Sequence, residues 1–142
     1  MIVDSSAIVA ILHDKPEAST FAQALFESFD SRISAVSYVE VAIVIDRGGD
    51  PVASRRVDEL IERAEISIEA VSVAQAGIAR AAYRDFGKNS GHPAKLNFGD
   101  CFAYALAKTM REPLLYNLTK LSSLLPRTPH QARRSRSRRP PS

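Results

Sequence analysis

Met1-Ile2-Val3-Asp4-Ser5-Ser6-Ala7-Ile8-Val9-Ala10-Ile11-Leu12 begins the chain, and its reading decides the architecture. Met1 to Asp4 reads as a short buried strand that ends on an acid. Ser5 or Ser6 then caps a short helix, Ala7 to Leu12. A strand that runs directly into a helix is half of a βαβ unit, and the rest of the chain keeps the same alternation, which predicts an α/β fold with a parallel sheet.

Asp14, Pro16 and Glu17 mark a second helix start, followed by the apolar face Phe21, Leu25 and Phe26. Arg32 to Ala35 is read as the second strand. Ser37, with Glu40 three residues on, is read as opening the helix that runs to about Arg47. Gly48-Gly49-Asp50-Pro51 breaks that helix, and Val52 to Ala64 carries Val57, Leu60 and Ile61 on one face. Ile66 to Val71 alternates as a third strand, and Val73 to Phe86 is an alanine-rich helix. Gly87 to Lys95 is a polar loop, Asn97 caps a helix ending near Met110, and Pro113 to Tyr116 is a fourth strand.

The chain of 142 residues, 45% hydrophobic, is enough for one domain with a real core. No apolar run approaches the roughly 20 residues of a membrane span and no signal-peptide pattern is visible, so a cytoplasmic location with no membrane association is expected. Cys101 is the single cysteine, which excludes an intramolecular disulfide and a cysteine-based metal site. The net charge of +3 hides two parts of opposite sign. Residues 117–142 hold Lys120 and six arginines and no acid; the first 116 residues hold 12 basic and 16 acidic side chains. The expected organisation is therefore a folded domain over 1–116 and a basic tail over 117–142. From Pro126 onward the Pro, Arg and Ser content cannot build a core, so the tail is expected to be disordered.

Three acids stand at the edges of elements: Asp4 after the first strand, Glu40 in the third helix, and Asp100 in the first turn of the Asn97-capped helix. Taken singly, Glu40 and Asp100 have a sufficient structural reason as partners in capping boxes. Asp4 is harder to dismiss, because a lone carboxylate behind a buried strand costs free energy unless it is hydrogen-bonded, paired or metal-bound. In open parallel sheets, binding sites form at the carboxyl ends of strands, where Asp4 lies. If the three acids converge, each like-charge pair at 4 Å repels by about 4 kcal/mol at an effective dielectric near 20. A hard divalent cation removes that penalty, and an all-oxygen donor set favours Mg²⁺ or Mn²⁺. Such a site suits phosphodiester hydrolysis.

The blocks Met1-Ile2-Val3-Asp4-Ser5-Ser6-Ala7, Ser37-Tyr38-Val39-Glu40-Val41-Ala42 and Leu96-Asn97-Phe98-Gly99-Asp100-Cys101-Phe102-Ala103-Tyr104-Ala105-Leu106-Ala107, in this order, resemble the PIN-domain ribonucleases, and most closely the VapC toxins of bacterial toxin-antitoxin pairs. The resemblance covers residues 1 to about 116. It implies a PIN-like parallel β-sheet flanked by α-helices, Mg²⁺- or Mn²⁺-dependent endoribonuclease cleavage of RNA, and inhibition by a cognate VapB-type antitoxin. A homodimer is the expected assembly. By match of motif Asp4, Glu40 and Asp100 are metal ligands, and Ser6 is either the hydroxyl beside the metal or the N-cap of the next helix.

The sequence departs from the family after Tyr116, where those toxins place a Gly-x-Asp-Phe-like turn with a fourth acid. Here Asn117-Leu118-Thr119-Lys120-Leu121 stands instead, and no Asp or Glu follows Glu112. The change of composition is what a shifted reading frame near residue 117 would leave. An alternative is therefore a PIN-fold protein whose impaired site binds its antitoxin without efficient cleavage. A receiver-like α/β domain ranks last, since Asp4-Ser5-Ser6 lacks the adjacent acidic pair that such a fold needs. Arg80, Arg84, Lys88, His92 and Lys95 are read as a charged face and loop rather than phosphate ligands, and Tyr38 and Tyr104 as packing residues.

Overall fold

The computed structural model describes residues 1–116. β1 (Ile2–Val3) lies inside a four-stranded sheet of order β3-β2-β1-β4, with β2 (Arg32–Ser34), β3 (Ser67–Glu69) and β4 (Leu114–Leu115). All pairings are parallel: Ile2 stands opposite Arg32 on one side and Leu114 on the other, and Ile33 opposite Ile68. Parallel neighbours require crossovers, and helices supply them: α1 (Ser5–Leu12), α2 (Ala18–Phe26), α3 (Ala35–Asp46), α4 (Pro51–Arg63), α5 (Val73–Phe86) and α6 (Phe98–Met110).

Helices pack on both faces of the sheet, and β1 and β4 are apolar and buried on both sides accordingly, whereas β3 is largely exposed. Val3, Ile33 and Leu115 point into a core built with α1 to α4, where Ile8, Leu25 and Val41 are buried. Ile2 and Leu114, their chain neighbours, point the other way, into a core of α5 and α6 with Leu96, Leu106 and Tyr116. Successive strand side chains alternate between faces, so residues next to each other serve different cores.

Local sequence explains most helix starts. Asp50 accepts from the Val52 amide at 2.9 Å with Pro51 at the first helical position, Ser72 accepts from Gln75, and Asn97 and Asp100 form a reciprocal capping box. Two starts differ from the sequence reading. α1 begins at Ser5, capped by Asp4 itself and not by Ser5 or Ser6. α3 begins at Ala35 with Ser34 as its cap, so Ser37 does not cap and makes no box with Glu40. The chain passes from the last residue of β2 straight into α3, which gives the cap to Ser34. Ser37 is then carried inside the helix, fully buried, with no hydrogen bond to its hydroxyl among the described residues. The third strand is also shorter than expected, Ser67–Glu69 in place of 66–71. α5 and α6 have the expected bounds. No described helix is long and apolar enough to cross a membrane. The expectations for Lys120 and for a disordered tail lie outside the described residues.

Candidate active site

The sheet order makes β1 the strand at which the connections reverse: the chain leaves β1 toward β2 and β3 and returns to β4 on its other side. A crevice opens at the carboxyl ends of strands at such a reversal, and Asp4 is the residue that follows β1. Its backbone amide donates to the Leu115 carbonyl at 2.9 Å, which ties the acid to the neighbouring strand. The side chain is buried, 2% exposed. Oδ2 accepts from the Ser6 amide at 3.1 Å and from the Ser6 hydroxyl at 2.5 Å. Oδ1 is buried and has no hydrogen-bond partner among the described residues.

Glu40 and Asp100 reach the same place from α3 and α6, helices that pack on each other. Asp100 is buried in the first turn of α6, where its Oδ2 accepts from the Asn97 amide at 2.9 Å. Glu40 accepts from the Ser5 hydroxyl. Its carboxylate also lies against the Cα of Gly99, in the space a β-carbon would fill. Burial, then the charge of Asp100 and, more weakly, that of Glu40 push the Asp4 carboxyl up to about 6, against the hydrogen bonds from Ser6 that lower it. Asp100 and Glu40 therefore both act electrostatically on Asp4.

Among the described residues no three His, Cys, Asp or Glu side chains already form a group that could hold a metal ion. The donor set nonetheless suits a hard cation: carboxylate and hydroxyl oxygens, a buried carboxylate oxygen without a partner, and mutual repulsion that a cation would relieve. Glu40 acts on Asp4 more weakly than Asp100 does, and its carboxylate accepts from Ser5.

Sequence reasoning singled out Ser6, which bonds to Asp4, but missed Ser5 and Gly99, which seat Glu40. A glycine in the first turn of a helix, beside an acid, was the available signal for Gly99, because glycine there lowers helix stability and marks a close approach. The cationic residues separate. Arg84 pairs with Asp85 at 2.9 Å and His92 Nδ1 accepts from the Ala94 amide, whereas Arg80 and Lys88 line a groove beside α6. Tyr104 is buried, and the Tyr38 hydroxyl donates to Asp58 at 2.7 Å.

Fold and site together define a doubly covered parallel sheet with acids at the carboxyl end of its reversal strand. The PIN domain profile matches residues 1–122. Ribonuclease VapC28 of Mycobacterium tuberculosis is 59% identical over 116 residues, covering 82% of this chain and 87% of that protein. Among solved structures, the Mycobacterium tuberculosis toxin VapC20, described as cleaving the sarcin-ricin loop, superposes with a TM-score of 0.72 at 11% identity, covering 89% of this chain and 97% of that one. A toxin-antitoxin complex from Klebsiella pneumoniae gives 0.65 at 17% identity, covering 87% and 91%. The chain belongs to the PIN-domain family, among its VapC-type toxin endoribonucleases.

Proposed function

We propose that Asp4, Glu40 and Asp100 hold Mg²⁺ or Mn²⁺, and that the protein uses this site to hydrolyse RNA phosphodiester bonds in the cytoplasm. The observation that carries the reading is the Asp4 carboxylate: buried, raised to about 6 by its surroundings, and with Oδ1 lacking a partner among the described residues. A bound divalent ion would supply a polarised phosphoryl oxygen and a water of lowered pKa. The chain's own contribution is orientation. Ser6 fixes the rotamer of Asp4 through two hydrogen bonds, the Asn97 cap fixes Asp100, and Ser5 with Gly99 fixes Glu40. Ser6 thus acts on the site through Asp4.

Membership of the VapC group supports a VapB-type antitoxin as partner, and a homodimer is the assembly we propose with it. The alternative of a site too impaired to cleave, raised by Lys120 and the absence of an acid after Glu112, is disfavoured by the relatives at up to 59% identity, which are ribonucleases. Incubation of the full chain with structured RNA, with EDTA or with added Mn²⁺ or Mg²⁺, tests the reading. Ion-dependent cleavage that disappears in Asp4→Asn is expected. Cleavage that survives both EDTA and that substitution would refute it.

A further inference from the structure

We propose that the groove between α5 and α6 is a subsite for one unpaired nucleobase and its flanking phosphate in a single-stranded RNA. The inference rests on the endoribonuclease reading and extends it to where the substrate lies. Ala76, Ala79, Arg80 and Tyr83 recur along α5 at the spacing of one helix face, and Phe98 and Phe102 come from α6; between them is a cavity of about 680 Å³. That volume lies in the range of small-molecule sites, roughly 300 to 1,000 Å³.

Phe98 is 68% exposed, an unfavourable place for a large apolar ring. It meets Phe102 edge to face, with ring centroids 5.0 Å apart and planes at 63°. Edge-to-face packing uses one ring's edge and leaves further aromatic surface for a flat ligand, and nucleobases stack on such rings whatever their sequence. Arg80 and Lys88 line the same cavity, and neither is in an ion pair among the described residues, although residues 1–116 carry more acids than bases. No acid among the described residues lines the groove. An aromatic ring beside two cations without partners complements a base joined to a phosphate better than it complements an apolar helix. Asn97 also lines the groove, and the same side chain accepts from the Asp100 amide, so the subsite adjoins the acids.

Anisotropy of a short fluorescein-labelled single-stranded RNA of mixed sequence, titrated with the full chain in EDTA, reads binding apart from cleavage. Phe98→Ala should weaken binding about tenfold, and Phe98→Trp should restore it. Arg80→Gln with Lys88→Gln should reduce the slope of log affinity against log salt by about 0.7, the share of one phosphate. Phe29→Ala, a change at an exposed ring outside the groove, should bind as the native chain does. Native affinity in Phe98→Ala and in the double variant would overturn the subsite, and the nuclease reading would stand if the native chain still cleaves that RNA with Mn²⁺. Weakened binding in the variants, with no cleavage of either this RNA or structured RNA by the native chain in Mn²⁺ or Mg²⁺, would support the subsite and remove the metal-site reading. A changed oligomeric state, or a lost antitoxin complex, with RNA affinity unaltered would assign the groove to a protein surface and overturn the proposal.

Discussion

The hydroxyl of Ser5 donates to the carboxylate of Glu40, 35 residues away, and so joins the first residue of α1 to the middle of α3. Because Ser5 directly follows Asp4, this bond keeps Glu40 beside the buried acid. Loss of such a supporting contact lowers metal affinity by about 10- to 100-fold in characterised sites. Ser5→Ala should therefore weaken Mn²⁺ binding, measured by calorimetry, by at least about tenfold, with Ser5→Thr close to native. Equal or tighter binding in Ser5→Ala would mean that the bond holds Glu40 away from the ion.

Gly99→Ala separates folding from site geometry. A β-carbon at Gly99 would stand 2.5 Å from the Glu40 carboxyl carbon. That is too close to be tolerated, and the group that must move is the end of a flexible side chain. Alanine is also favoured over glycine within a helix by about 1 kcal/mol. The variant should melt at or above the native temperature in EDTA while losing most of its Mn²⁺ affinity. A large drop in melting temperature would show that the backbone, and not Glu40, gives way.

Asp4 makes the metal-free protein sensitive to pH in an unusual direction. Its carboxyl is raised from 3.8 to about 6, so the folded state holds a proton that the unfolded state has released between those values. Stability from this group is complete below about pH 4 and is lost as pH rises through 6, by about 3 kcal/mol at 1.36 kcal/mol per unit. Denaturation in EDTA should show this fall in the native chain and its absence in Asp4→Asn, which should be the more stable of the two at pH 7. Added Mn²⁺ should stabilise only the native chain. Parallel profiles for the two proteins would remove Asp4 as their source.

Asp100→Asn keeps an acceptor for the Asn97 amide and removes the charge next to Asp4. The helix cap should survive, the pH-dependent loss in the native chain should shift toward lower pH, and Mn²⁺ affinity should fall. A midpoint that stays where it is in the native protein would show that Asp100 does not raise Asp4.

Cys101 should be inert in the folded protein. Its thiol is buried and is pushed up to about 11, first by burial and then by the charge of Asp100. At pH 8 the reactive thiolate is scarce, so iodoacetamide should label the chain only after denaturation, as read by mass spectrometry. Rapid labelling of the folded protein would contradict the burial.

Features with local causes were legible in the chain. The Asn97–Asp100 capping box depends on residues three apart, and the bounds of α5 follow from a Ser72 cap and from Gly87 at its end. The strand-then-acid pattern at Met1 to Asp4 was enough to expect a parallel α/β sheet with an acid at a strand end, because side-chain period and capping are properties of neighbouring residues. The Ser37-x-x-Glu40 spacing misled for the complementary reason. A capping box and a site carboxylate look alike along the sequence, and only the short strand Arg32–Ser34, placed by pairing with Ile2 and with Ser67 to Glu69, moved the helix cap to Ser34 and turned Glu40 toward Ser5 and Gly99. The same holds for the groove. Phe98, Arg80 and Lys88 are ordinary residues in three separate stretches, and they become one surface only when α5 and α6 pack together. The sequence by itself determined the elements and the acids. The electrostatic coupling of Asp4 to Asp100 and Glu40, the Asp4 oxygen without a partner among the described residues, and the seat of Glu40 were decided by long-range packing, whose free energy depends on contacts that no local pattern encodes.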